Sequence, residues 1–204
     1  MNRFYTDRYA HIIASTVDDV RLHKMILEET QMLATNLREM GATDKELVKY
    51  GIITKALTPY KSAHRNHPCT IWAREEPENF KFALKNAQMM CELYRIHYNK
   101  VHACEPVLRG INRLAYTYWG IMTYRNAHCS NHTIPPMAMP DIFKIKTTPT
   151  ADENTRRFAV MESYRNYYIS KIWSKGGVRF NKQSKPKWWT AEREATVKKL
   201  MEAL

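Results

Sequence analysis

The chain has 204 residues, 44% of them apolar and 11% aromatic, with 32 Lys and Arg set against 20 Asp and Glu for a net charge of +12. Those proportions exclude a disordered chain and allow one domain with a substantial buried core. The surplus of cations favours polyanions through counterion release and electrostatic steering, so nucleic acid, DNA in the first instance, is the expected partner.

No apolar run reaches the length of a membrane span, so no membrane partner is expected. The opening MNRFYTDRYAHIIAS holds charges where a secretory signal needs an apolar stretch. The expected location is the cytoplasm, or the host cytoplasm if the source is viral. Cys69, Cys91, Cys104 and Cys129 form no CxxC pair, and reduced thiols follow from that setting.

Helical periodicity dominates, with few alternating Val/Ile/Thr runs and only six Gly. The expectation is an all-α fold: a single compact helical domain, residues 1–204, of about six to seven helices. After an irregular start, Thr16 to Asp19 supply cap candidates for a helix running to about Met40 and stopped by Gly41. Leu22, Met25, Ile26, Leu33 and Leu37 make its apolar stripe. Thr43 caps a short helix ending near Gly51, and Ile52 to Asn66 reads as loop. Pro68 opens a helical turn through Arg74, and Pro77 opens a longer helix to about Asn99.

A further helix covers Glu105 to Tyr124. The Pro-, Asn- and Thr-rich stretch 126–150 predicts a long ordered surface loop. Asp152 to Ser174 is again helical, followed by a Gly-Gly break and the basic, Pro-interrupted GGVRFNKQSKPKWW. Thr190 caps a last amphipathic helix.

Three stretches carry candidate chemistry. Arg21, Lys24, Glu28, Gln31 and Thr35 fall at spacings of three and four and share one helix face. An amine and a carboxylate held together there serve either as a solvated ion pair or as nucleophile and general base. The second stretch is YKSAHRNHPCTIWAR. Its Lys61, His64, Arg65, Asn66, His67 and Arg74 surround a Pro-initiated helix start, whose open N–H groups attract anions. The competing reading makes His67 or Asn66 a helix cap and places Trp72 in the core.

The third stretch is the basic aromatic segment 162–189, with Arg165, Lys171, Lys175, Arg179, Lys182 and Lys185 interleaved with Tyr and Trp. Tyr164, Tyr167 and Tyr168 cannot all face one core from a single helix, so exposed rings beside the cations are expected, as in a phosphate-tracking groove. The competing reading, compatible with it, folds the tail back on Trp173, Trp188 and Trp189 as anchors. HACEP and HCSNH lack the paired spacing of a structural zinc site, and no Walker, GxGxxG, HExxH or GxSxG motif occurs. No metal and no cofactor is expected.

The blocks RLHKMILEETQML, YKSAHRNHPCTIWAR, CELYRIHYNKVHACE, MAMPDIFK and ESYRNYYISKIW…PKWW together resemble small phage and bacterial proteins described as pyrimidine dimer DNA glycosylase-like. The resemblance implies a compact helical enzyme that kinks duplex DNA, flips out a nucleotide, and cuts the glycosidic bond and the strand through an imine. In the phage pyrimidine-dimer enzymes the attacking amine is the α-amine of a processed N-terminus, assisted by a carboxylate.

Here Met1 precedes Asn2, whose side chain hinders removal of the initiator Met, so Lys24 is the expected amine and Glu28 the acid/base group. His67, with His64, Asn66 and Arg74, would orient base and phosphate. Two alternatives stay open: a phage-type enzyme that modifies a DNA base or nucleotide, and a non-enzymatic nucleic-acid-binding protein.

Overall fold

Side-chain caps start most of the helices, because the first turn of any helix leaves backbone N–H groups without intrahelical acceptors. A computed structural model describes residues 4–120 and 131–203. Among these, eight α-helices run in the order α1 Ala10–Thr16, α2 Asp19–Glu39, α3 Asp44–Lys49, α4 Pro68–Glu75, α5 Pro77–Tyr98, α6 Cys104–Trp119, α7 Glu153–Ile169 and α8 Ala191–Glu202. Short 3₁₀ turns occupy Asp141–Phe143 and Ser170–Trp173. The described residues contain no strand, only one isolated bridge between Ile53 and Pro59. The all-α expectation holds.

Asp18, His67, Asp152 and Thr190 each accept a backbone N–H at their helix start, and Thr43 with Glu46 forms a reciprocal capping box. Pro77 begins α5, which ends at Asn99 in the left-handed conformation, φ 50°. The expected irregular start proved partly helical. The seven-residue α1 has no side-chain cap and forms where Ala10, Ile13 and Ala14 bury against α5, so tertiary packing supplies what local signals lack.

α2 and α5 pack together at the centre, with α1 against α5, α4 against both, and α6 against both. Leu22, Ile26, Leu33 and Leu37 of α2 meet Phe80, Leu84 and Ala87 of α5 in one continuous core. Residues 131–145 cross the surface as the loop expected there, and residues 126–130 of that stretch lie outside the described ones. The loop is pinned by buried Asn79, which takes Thr133 N–H at 2.8 Å and donates to the Trp72 carbonyl at 2.9 Å. Tyr164 adds a 2.6 Å bond from its hydroxyl to the Pro136 carbonyl.

The three tyrosines of α7 depart from expectation, since all are buried. They do so by facing different neighbours. Tyr164 lies under the loop at Pro136, Tyr167 stacks near Phe4 and Phe143, and Tyr168 reaches the start of α2. A helix wrapped on several sides buries more than one stripe. Of the interleaved cations, Lys171 lies over Tyr167, its Nζ 3.7 Å from the ring centroid.

Gly110 marks the tightest helix contact. A Cβ built there would lie 2.1 Å from the Tyr50 carbonyl oxygen, which is backbone and cannot rotate away. Gly110→Ala should therefore destabilise the chain by about 2 kcal/mol through overpacking. Urea unfolding followed by circular dichroism checks this; an unchanged midpoint would mean that α6 does not seat on residues 50–52 as described.

Candidate functional site

On the face of α2 that carries Arg21, Lys24 and Glu28, the chain beyond α7 packs over the first turn, where Arg21 meets Gly177 and Ser174. A cleft of about 260 Å³ lies there, lined by Phe4, Val20, Arg21, Lys24, Met25, Glu28, Lys171, Ser174 and Lys175. Four cations thus surround one carboxylate. Lys24 Nζ lies 3.2 Å from Glu28 Oε1; the lysine side chain is 71% exposed and the glutamate 13%. The i,i+4 spacing holds the pair together, and Met25 and Phe4 supply an apolar wall.

A buried network fixes the rim. Asp18, fully buried, caps Val20 N–H at 3.0 Å, accepts the Tyr168 hydroxyl at 2.6 Å and pairs with Arg21 at 3.0 Å. Its own N–H donates back to the Tyr168 oxygen at 2.7 Å. Burial and the adjoining carboxylate hold the Tyr168 phenol well above the ordinary tyrosine range, so it remains a donor. Arg21 also donates to the Gly177 carbonyl at 2.8 Å and to Ser174 Oγ at 3.1 Å.

Asp19 completes the clasp. Its N–H donates to the Arg179 carbonyl, and its carboxylate accepts the N–H groups of Asn181 and Lys182. The segment 171–182 is thereby laid across the N-terminus of α2, bringing Lys171 and Lys175 to the cleft while Arg179 and Lys182 stay exposed beside it.

The histidine-rich segment does something different. His67 Nδ1 accepts Cys69 N–H at 3.2 Å, filling the helix start that an anion would use. His64 takes a left-handed turn at φ 55° and its carbonyl accepts the His67 N–H. Arg65 pairs with Glu39 at 2.6 Å, while Arg74 donates to the Arg65 carbonyl at 2.9 Å. Lys61, His64 and Asn66 are exposed. Trp72 is buried and donates to Thr133, so it is core and not a stacking platform.

Residues 60–63 close over the far end of α2, where Arg38 donates to the Tyr60 carbonyl and Thr35 accepts Ala63 N–H. Glu28 and Thr35 are separated by about 10 Å of helix. None of Lys61, His64, Arg65, Asn66, His67 and Arg74 lines the cleft.

Two further cations are absorbed by packing. Arg165 donates to the Thr6 carbonyl, pairs with Glu162 and lies over Trp188. Lys185 pairs with Glu194 and lies over Trp189. The α-amine considered as an alternative nucleophile lies outside the described residues, as do His128 and Cys129. Among the described residues no cluster of three or more His, Cys, Asp or Glu could hold a metal ion. No helix of the described residues is long and apolar enough to cross a membrane.

Missed from sequence were Phe4 and Ser174 in the cleft wall, which carry no local signal, and the role of Asp18, visible only as a cap candidate. No family model, curated protein or solved structure matches the chain.

Away from the cleft lining, His23 of α2 meets buried His102. Cys104 N–H donates to His102 Nδ1, so Nε2 carries the proton and donates to His23 Nδ1 at 2.8 Å. Burial, with His23 and Lys55 nearby, lowers the His102 pKa to about 4. In the unfolded chain a histidine takes its proton near pH 6.5. The native state is therefore favoured above that value and loses stability as pH falls from about 6.5 to 4, by about 3 kcal/mol in all. His102→Gln should flatten this acid slope, which urea unfolding at pH 7, 6 and 5 measures.

Asp18→Ala should cost about 3 kcal/mol, since it removes a cap and strands Arg21 and the Tyr168 hydroxyl. Asp18→Asn, which keeps the cap, should cost less. Equal melting temperatures for Asp18→Ala and the parent chain would contradict the clasp.

Proposed function

We propose that the cleft acts on a nucleic acid through imine chemistry, in the manner of a glycosylase with lyase activity. The observation that carries this reading is the Lys24–Glu28 pair, an exposed amine and a largely buried carboxylate 3.2 Å apart inside a cationic rim. Lys171 and Lys175 attract and hold phosphates flanking a nucleotide turned out of the stack, and Arg21, held by Asp18, Gly177 and Ser174, adds its charge to the rim. Phe4 and Met25 offer apolar surface to its base or sugar.

The chemistry balances on the two residues. Glu28 takes a proton from the Lys24 ammonium, and the freed Nζ lone pair attacks C1′ of the extruded nucleotide. The glycosidic bond breaks with its electron pair on the departing base, which receives the proton held by Glu28. The new secondary ammonium gives a second proton to Glu28, which delivers it to O4′ as the sugar ring opens to the protonated imine. Glu28, a carboxylate again, takes a C2′ proton, the electron pair so released expels the 3′ phosphate, and addition of water to the imine carbon frees Lys24 as the amine. Bound nucleic acid excludes water from the pair, which favours the proton transfer from ammonium to carboxylate.

DNA as the substrate is favoured by the resemblance of the sequence blocks to the dimer glycosylases. A second reading, a non-enzymatic binder, is favoured by the 71% exposure of Lys24 in the free chain, since a solvated ion pair of this kind needs no chemical role.

Borohydride trapping on duplex DNA bearing an abasic site or a thymine dimer separates the two. The proposal expects a covalent adduct, absent in Lys24→Ala, and single-turnover cleavage lowered roughly 10²–10⁴-fold in Glu28→Gln with binding kept. Salt-sensitive binding with neither adduct nor strand cleavage would refute the lyase and leave the binder. An adduct that survives Lys24→Ala would remove Lys24 from the nucleophile's role.

A further inference from the structure

A second cationic surface lies on the groove between α5 and α6, built from residues that the cleft does not use. A cavity of about 350 Å³ opens there, lined by Lys85, Gln88, Met89, Glu92, Arg95, Glu105, Leu108 and Arg109. Arg95 from α5 and Arg109 from α6 both donate to the same oxygen, Glu105 Oε1, the latter at 3.1 Å. Two guanidinium groups that meet on one atom are held side by side. Their side chains are 45% and 62% exposed, against 14% for the glutamate.

Each guanidinium has five N–H donors and spends one on Glu105. Glu105 therefore aims the two forks outward without using them up. Beyond the groove, on the exposed face of α6, stand Arg113 and Tyr116, four and seven residues past Arg109 and so in line with it. Arg113 is exposed and reaches the Tyr50 carbonyl with one donor at 3.5 Å. Tyr116 is half exposed, an aromatic face in a row of arginines.

We propose that this groove is a second nucleic-acid contact, in which Arg95, Arg109 and Arg113 hold successive phosphates and Tyr116 packs against a sugar or an unstacked base. The inference rests on the reading of the chain as nucleic-acid-acting. The forked geometry argues for phosphodiester oxygens: planar guanidinium groups bind oxyanions through paired N–H bonds, and each of the two keeps donors beyond the one given to Glu105 Oε1. Glu92 and Glu105 keep the groove from being uniformly positive. Binding there accordingly depends on the placement of the arginines and not on total charge alone.

The test is fluorescence anisotropy with a fluorescein-labelled duplex over a salt series. It compares the parent chain, Arg95→Gln/Arg109→Gln, Arg113→Gln/Tyr116→Ala, and the cleft variant Lys171→Gln/Lys175→Gln. Each lost phosphate contact should lower the slope of log K against log salt by about 1. The expected reductions are thus about 2 for the arginine pair and about 1 for the α6 variant. Because removing both arginines leaves Glu105 unpaired, the Arg113→Gln/Tyr116→Ala variant, outside that ion pair, keeps the test valid if the first variant fails to fold.

Parent affinity and slope retained in both groove variants, with a loss in the cleft variant, would overturn the groove and leave the nucleic-acid reading intact. No binding by the parent chain at any salt would overturn both.

Discussion

Asp18 is the constraint on which the rest of the structure turns. A fully buried carboxylate is costly unless its lone pairs are filled, and here the helix start, a tyrosine hydroxyl and a guanidinium fill them. Each partner belongs to a different task. The Val20 N–H begins α2, Tyr168 ties α7 to that beginning, and Arg21 carries the connection outward to Gly177 and Ser174. One residue thereby sets the direction of the helix bearing Lys24 and Glu28 and the position of the strand of chain that brings Lys171 and Lys175 across from them.

This arrangement divides α2 into two functional lengths. Its C-terminal half is enclosed, with Thr35 and Arg38 spent on residues 60–63. Its N-terminal half presents three polar side chains to the cleft on the same stripe. The continuous stripe of Arg21, Lys24, Glu28, Gln31 and Thr35 is thus one structural feature with two fates, decided by what packs over each end.

Much of the fold was legible because its signals are local. Caps at Asp18, Thr43 and Thr190, prolines at the starts of α4 and α5, and Gly41 beyond α2 all act within a few residues of where they stand. α1 was not legible, since it owes its form to burial against α5. The Lys24–Glu28 pair could be read from helical spacing, yet its meeting with Lys171 and Lys175 is a long-range event that no periodicity encodes. His67 shows the opposite limit. Its pattern reads first as part of an anion site, with a helix cap as the competing reading, and only the position of Nδ1 over Cys69 N–H decides for the cap.

The cleft joins Phe4 and residues 20–28 to residues 171–175. Bringing such distant stretches together demands a large loop closure, which a chain makes late, after nearer contacts have formed. During synthesis α2 emerges before α7, and its cleft face has no opposing wall until α7 and the Gly176–Gly177 turn have followed it out. The amine and carboxylate stand ready on their helix well before the cations that complete the cleft arrive. A chain that has emerged only through α6 carries the reactive pair on α2 but lacks Lys171 and Lys175, and the cleft is completed only once residues 171–182 have followed.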